Sequence, residues 1–135
     1  MITIEQLYGP WLNHPDATDE CKAASAALLA KVNALLDQAT AAGVELEDNP
    51  ITGNQVSGVE YGGFRPQSCT QGAPHSPHKE GRGVDVHDAG NKLDAWLTDE
   101  ILEAAGLYRE APHSTPGWCH LTDRAPGSGH RTFVP

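Results

Sequence analysis

At 135 residues, 39% of them hydrophobic, the chain fits one domain spanning 1–135, large enough to fold on its own core without disulfide staples. Eighteen acidic residues against nine basic ones give a net charge of −9, and residues 1–50 carry eight Asp or Glu and only two Lys. That balance repels phosphate backbones and anionic lipid surfaces, which excludes nucleic acid as a partner, and no stretch approaches the roughly 20 apolar residues of a membrane span.

Thr3 to Leu7 predicts a short helix, punctuated by Gly9-Pro10 and His14-Pro15-Asp16, with Trp11 placed to pack on the main helix. That long helix is predicted from Asp19 to Ala42. Thr18 is its N-cap, Asp19 and Glu20 sit in the electropositive first turn, and Gly43 is at the C-cap. Its apolar face, Ala24, Leu28, Val32, Leu35 and Ala39, repeats every three or four residues. Residues 44–67 read as strand material broken by Asn49-Pro50 and by Gly53, Gly58, Gly62 and Gly63. Cys69 to Pro77 is a polar loop of the kind that carries site residues on a rigid frame.

From Gly83 the run Gly-Val-Asp-Val-His alternates, so Asp85 and His87 project from one side of a strand and Val84 and Val86 from the other. Next comes a second helical region, with Leu93, Trp96, Leu97, Ile101 and Ala104 on one face, Thr98 as an internal cap and Gly106 at its end. Trp118 to Thr122 reads as a strand in which His120 points one way and Cys119 with Leu121 the other, which makes Cys119 a core residue. The tail from Ala125 is loop-like, and Phe133-Val134 tacks it to the body. Strands and helices mixed without regular alternation predict an α+β fold, a small antiparallel sheet with helices packed on one side.

The chemistry concentrates in Ser76-Pro-His78-Lys-Glu-Gly81-Arg-Gly83-Val-Asp85 and in Trp118-Cys-His120. Two imidazoles and a carboxylate, His78, Asp85 and His120, suit zinc and leave a fourth tetrahedral position free, as catalytic sites do. A closed structural site of Cys69, His78, Cys119 and His120 is the competing arrangement, since thiolates bind zinc well; it lacks paired C-x-x-C spacing. Of the remaining histidines, His14 and His130 lie in loops near the termini, whereas His75 and His113 lie in loops nearer the ligands.

The first run resembles the Ser-x-His-x-x-Gly-x-Ala-x-Asp signature of the zinc D-alanyl-D-alanine carboxypeptidases and dipeptidases, with Gly83 where alanine is usual. Trp118-x-His120 resembles their second-histidine strand, and Ser57-Gly58-Val-Glu-Tyr61-Gly-Gly-Phe-Arg65 is similar to a stretched form of their Ser-Gly-Tyr-Arg segment. The likeness covers about residues 55–122. It implies a hedgehog/DD-peptidase-like fold, zinc on His78, Asp85 and His120, and Arg65 and Ser76 near a peptidoglycan or other D-amino-acid peptide. The family's general base, an acid three residues before the second histidine, falls on Gly117, which cannot move a proton. A substitute must come from Glu60, Glu80, Glu110, His87 or His113; the catalytic candidates carried forward are His87, on the Asp85 face, and His113, in a nearby loop.

The rival expectation is a non-catalytic protein on the same scaffold, a zinc-stabilised structural or wall-binding component. Three cysteines and the lack of a signal-like segment predict synthesis in a reducing cytoplasm. Joined to a cell-wall substrate, that fits a phage endolysin or virion protein.

Overall fold

The computed structural model describes residues 1–135. Four helices, α1 (Ile4–Tyr8), α2 (Asp19–Ala41), α3 (Lys92–Trp96) and α4 (Asp99–Ala105), accompany four strands, β1 (Gly83–His87), β2 (Tyr108–Glu110), β3 (Trp118–Thr122) and β4 (Thr132–Phe133). The architecture is α+β, with one four-stranded sheet in the order β1-β3-β2-β4. Both β1 and β2 pair antiparallel with β3, but β4 runs parallel to β2. The sheet is therefore mixed, not wholly antiparallel as expected. Both flanks of β3 are already taken when the chain leaves it, so the returning tail pairs with the free edge of β2.

Helix α2 starts as predicted: the Thr18 hydroxyl accepts from Cys21 N at 3.2 Å, and Asp19 and Glu20 occupy the first turn. It closes one residue earlier than expected, with Ala42 at the cap. Its buried face runs through Ser25, Leu28, Leu29, Val32, Leu35, Leu36 and Ala39, so the small residue turned inward at the start is Ser25 and not Ala24. The second helical region is two helices. Leu97 is extended, and Thr98 accepts from Ile101 N at 3.2 Å as a true N-cap, which resets the phase so that Leu102 enters the core while Ala104 is exposed.

Residues 44–67 do not form strands. Only single bridges occur there, Asn49 with Asn54 and Val56 with Val86. The side chains of Asn49, Thr52 and Asn54 bond nearby backbone groups, at 2.7 Å for Asn49 Nδ2 to Ser57 O, 2.9 Å for Thr52 Oγ1 to Val56 O and 2.9 Å for Asn54 Oδ1 from Val56 N. Such local bonds compete with a ladder. The segment instead runs along the outer edge of β1, where Asp85 N donates to Gly62 O (2.7 Å) and Ser57 N to Asp85 O (2.8 Å). Trp11, expected against α2, borders the core and donates its indole N–H to Glu60 O at 2.8 Å, tying the N-terminal turn to this segment.

Alternation divides the sheet. Val84 and Val86 of β1 and Cys119 and Leu121 of β3 join the leucines of α2 in one buried cluster, while their neighbours Asp85 and His120 face the other way. No helix is long and apolar enough to cross a membrane.

Candidate metal centre

In the β1–β3 register Asp85 lies directly opposite His120, which puts both side chains on the face turned away from the core. His78 arrives from a 3₁₀ turn, Pro77–Glu80, that precedes β1. Ser76 caps that turn, its hydroxyl accepting from His78 N at 3.3 Å. Gly81 ends it at φ +74°, a left-handed conformation that disfavours side chains. The ordering of the turn comes from the N-terminal helices: Ser25 Oγ bonds Gly81 O at 2.7 Å and Tyr8 Oη at 2.7 Å. Burial, only partly offset by the Ser25 bond, pushes the Tyr8 phenol up to about 12.

The ligand atoms of His78, Asp85 and His120 all lie within 4.8 Å of one another, and all three residues are buried. His78 Nε2 is 3.3 Å and His120 Nδ1 2.8 Å from Asp85 Oδ1, and the two rings are 5.0 Å apart at 56°. Zinc bonds of about 2.0–2.1 Å in a tetrahedron hold ligand atoms about 3.3 Å apart, so the first pair already has that spacing, the second needs to open by a few tenths of an ångström, and the two imidazole nitrogens, within 4.8 Å of each other, need to settle to it. The tautomer fits as well. His78 Nδ1 lies 2.8 Å from Gly63 O, a carbonyl that only accepts, so the proton sits on Nδ1 and the Nε2 lone pair faces the cluster. The donor set thus fits a divalent metal of the zinc type.

The electrostatics suit a cation. Burial alone would raise the Asp85 carboxyl, but His78 and His120 outweigh it and hold the group well below the usual carboxylate range. Burial likewise opposes a charge on His120, yet the hydrogen bond and charge of Asp85, with a smaller push from Glu110, raise its imidazole.

The cluster opens into a cavity of about 490 Å³, within the range of small-ligand sites. Arg65 lines it, largely buried, with Nε donating to Tyr61 O (2.8 Å) and Nη2 3.6 Å from Asp85 Oδ2. Ser76 and His75 line it too. Trp118 and Phe133 form apolar wall, Phe133 edge-on to His120 at 6.3 Å.

Other sequence candidates fall elsewhere. His87 is two residues, about 7 Å, further along β1 than Asp85 and lines a separate hollow with Glu45 and Glu47. His113 sits in a 3₁₀ turn, Pro112–Ser114, outside the cavity. Glu80 pairs with Arg124 at 2.7 Å, and neither it nor Glu60 lines the cavity. Gly117 also lies outside it, at φ +92° in the turn before β3. Cys119 is fully buried on the opposite face beside Asp94, and burial pushes its thiol well above its ordinary range. The ligand cluster contains no cysteine, which removes the closed thiolate site.

The sequence does not single out Arg124 or Phe133 as cavity wall and offers Glu110 only as one of five possible substitutes, behind His87 and His113. Glu110 and Phe133 sit on β2 and β4, elements of three and two residues whose periodicity is too short to read, and Arg124 follows β3 in a turn fixed by its contacts with Thr122 and Glu80. Compared with protein-family models, curated proteins and solved structures, the chain matches none.

Proposed function

We propose that this protein is a zinc-dependent peptidase of the D-alanyl-D-alanine carboxypeptidase type, hydrolysing peptide bonds in peptidoglycan stem peptides. The observation that carries the reading is the buried His78, Asp85 and His120 set opening on a cavity that also holds Arg65. Zinc bound by these three residues would polarise the scissile carbonyl as a Lewis acid.

The chain's own residues supply the rest. Gly63 O fixes the His78 ring and the β1–β3 register fixes Asp85 against His120, so the donors are held before any metal arrives. Arg65 offers a planar guanidinium suited to a terminal carboxylate, and its anchorage to Tyr61 O leaves it little freedom to lose on binding. Ser76 orients His78 through the backbone, which accounts for a serine at that place without substrate contact. Trp118 and Phe133 give apolar surface for the substrate's side chains.

The test is incubation of zinc-loaded protein with stem peptides ending in D-Ala-D-Ala, followed by mass spectrometry. Loss of the terminal residue that stops with chelator and returns with zinc is expected. Intact peptides across a panel that varies both the terminal pair and the cross-bridge would overturn the assignment.

A further inference from the structure

Peptide hydrolysis needs a group that takes a proton from water and gives one to the departing amine, and the cavity is lined by only one acidic side chain besides Asp85. That residue is Glu110. The β2–β3 register pairs Tyr108 with Thr122 and Arg109 with Leu121, and one step further sets Glu110 opposite His120. Because directly opposed residues share a face, Asp85, His120 and Glu110 form a row across β1, β3 and β2. Phe133, paired with Glu110 on β4, extends the row into the apolar wall.

Glu110 is half-buried and lies outside the group of ligand atoms gathered within 4.8 Å, so it stands beside the metal position and not in it. Glu80, by contrast, is already neutralised by Arg124, and no such ion pair holds Glu110. We propose that Glu110 is the proton-transfer residue of this site, supplied from the neighbouring strand because the turn at Gly117 has none to offer. The step is balanced within the site. Water oxygen bonds to the scissile carbon as Glu110 takes its proton; the C–N bond then breaks and that proton passes to the amine nitrogen.

The role rests on the peptidase reading for its substrate but not for its test. Acetohydroxamic acid ligates zinc as an anion, and a base beside the metal strengthens its binding by taking up the O–H proton and hydrogen-bonding the bound ligand, whatever the natural substrate. We expect Glu110→Gln to bind zinc as wild type does in chelator competition, yet to bind acetohydroxamate about 10- to 100-fold more weakly, the range for losing a charge-assisted hydrogen bond. On any cleaved peptide its kcat should fall by about 10²- to 10⁴-fold with KM little changed. Unchanged hydroxamate affinity would overturn the proposal. So would a drop of about 10- to 100-fold in zinc affinity, which marks a residue that merely positions His120. Wild-type protein that takes up no zinc removes the site and Glu110's role together. A Glu110-dependent hydroxamate effect without cleavage of any stem peptide upholds Glu110 and removes only the substrate assignment.

Discussion

Replacing Gly81 by alanine tests how the helical layer holds the turn that carries His78. Gly81 has φ +74°, where a β-carbon costs about 1–2 kcal/mol. The same carbon would lie 2.6 Å from Ser25 Oγ, 2.7 Å from Cys21 O and 3.0 Å from Tyr8 Oη. Two of these atoms belong to α2, whose backbone cannot move without disturbing the core, so overpacking adds about 1–3 kcal/mol. Lower unfolded-state entropy returns about 0.4–1 kcal/mol, leaving a net loss of about 1–5 kcal/mol. Gly53→Ala is the control, for Gly53 has φ +72° but no atom within 4 Å of the added carbon. Urea unfolding of the metal-free proteins should show Gly81→Ala less stable than Gly53→Ala by about 1–3 kcal/mol. Zinc affinity should fall in the first variant only, because His78 rides on the displaced turn. Equal stability losses in the two variants would refute the idea that α1 and α2 clamp this turn.

The same geometry sets three further outcomes. The raised His120 imidazole contributes stability to the metal-free protein that is complete below its unfolded value of about 6.5 and lost as pH rises through its folded value; the lowered Asp85 carboxyl contributes stability present above about 4 and lost as pH falls. Urea midpoints of metal-free protein should therefore decline on both sides of that window, while zinc affinity should rise across the upper limit, since the His120 proton must leave before Nδ1 can ligate. Arg109→Ala should cost about 3–5 kcal/mol in urea unfolding, because the buried guanidinium binds Asp94 O at 2.7 Å and Asp94 Oδ1 at 3.2 Å and its loss strands the carboxylate. Gly117→Glu should lower the thermal midpoint and leave peptide turnover no higher, given the φ of +92° and a position outside the cavity.

The readable parts of the fold are those with long or strict periodicity. The 23 residues of α2 declare their buried face and cap, and Gly83–His87 and Trp118–Thr122 alternate cleanly enough to send Asp85 and His120 to one face and Cys119 to the other. The triad can be named because its residues lie within or beside these elements. Residues 44–67 mislead because Asn and Thr side chains satisfy the backbone locally, a competition that β-propensity does not register. Glu110 cannot be chosen over Glu60 or Glu80 by sequence, since its claim comes from a three-residue strand paired to β3 across the chain. His87 shows the converse: alternation assigns it the Asp85 face, but distance along β1 takes it out of the cavity.

The central claim is that His78, Asp85 and His120 hold one metal ion. Its most direct test is elemental analysis with chelator-competition affinity on wild type and on His78→Ala, Asp85→Asn and His120→Ala, with Cys69→Ser and Cys119→Ser as controls and folding checked by circular dichroism. The expected result is about one zinc per wild-type chain, none retained after dialysis in the three ligand variants, and full occupancy in both serine variants. Zinc retained in folded His78→Ala and His120→Ala, or lost from folded Cys119→Ser, would contradict it.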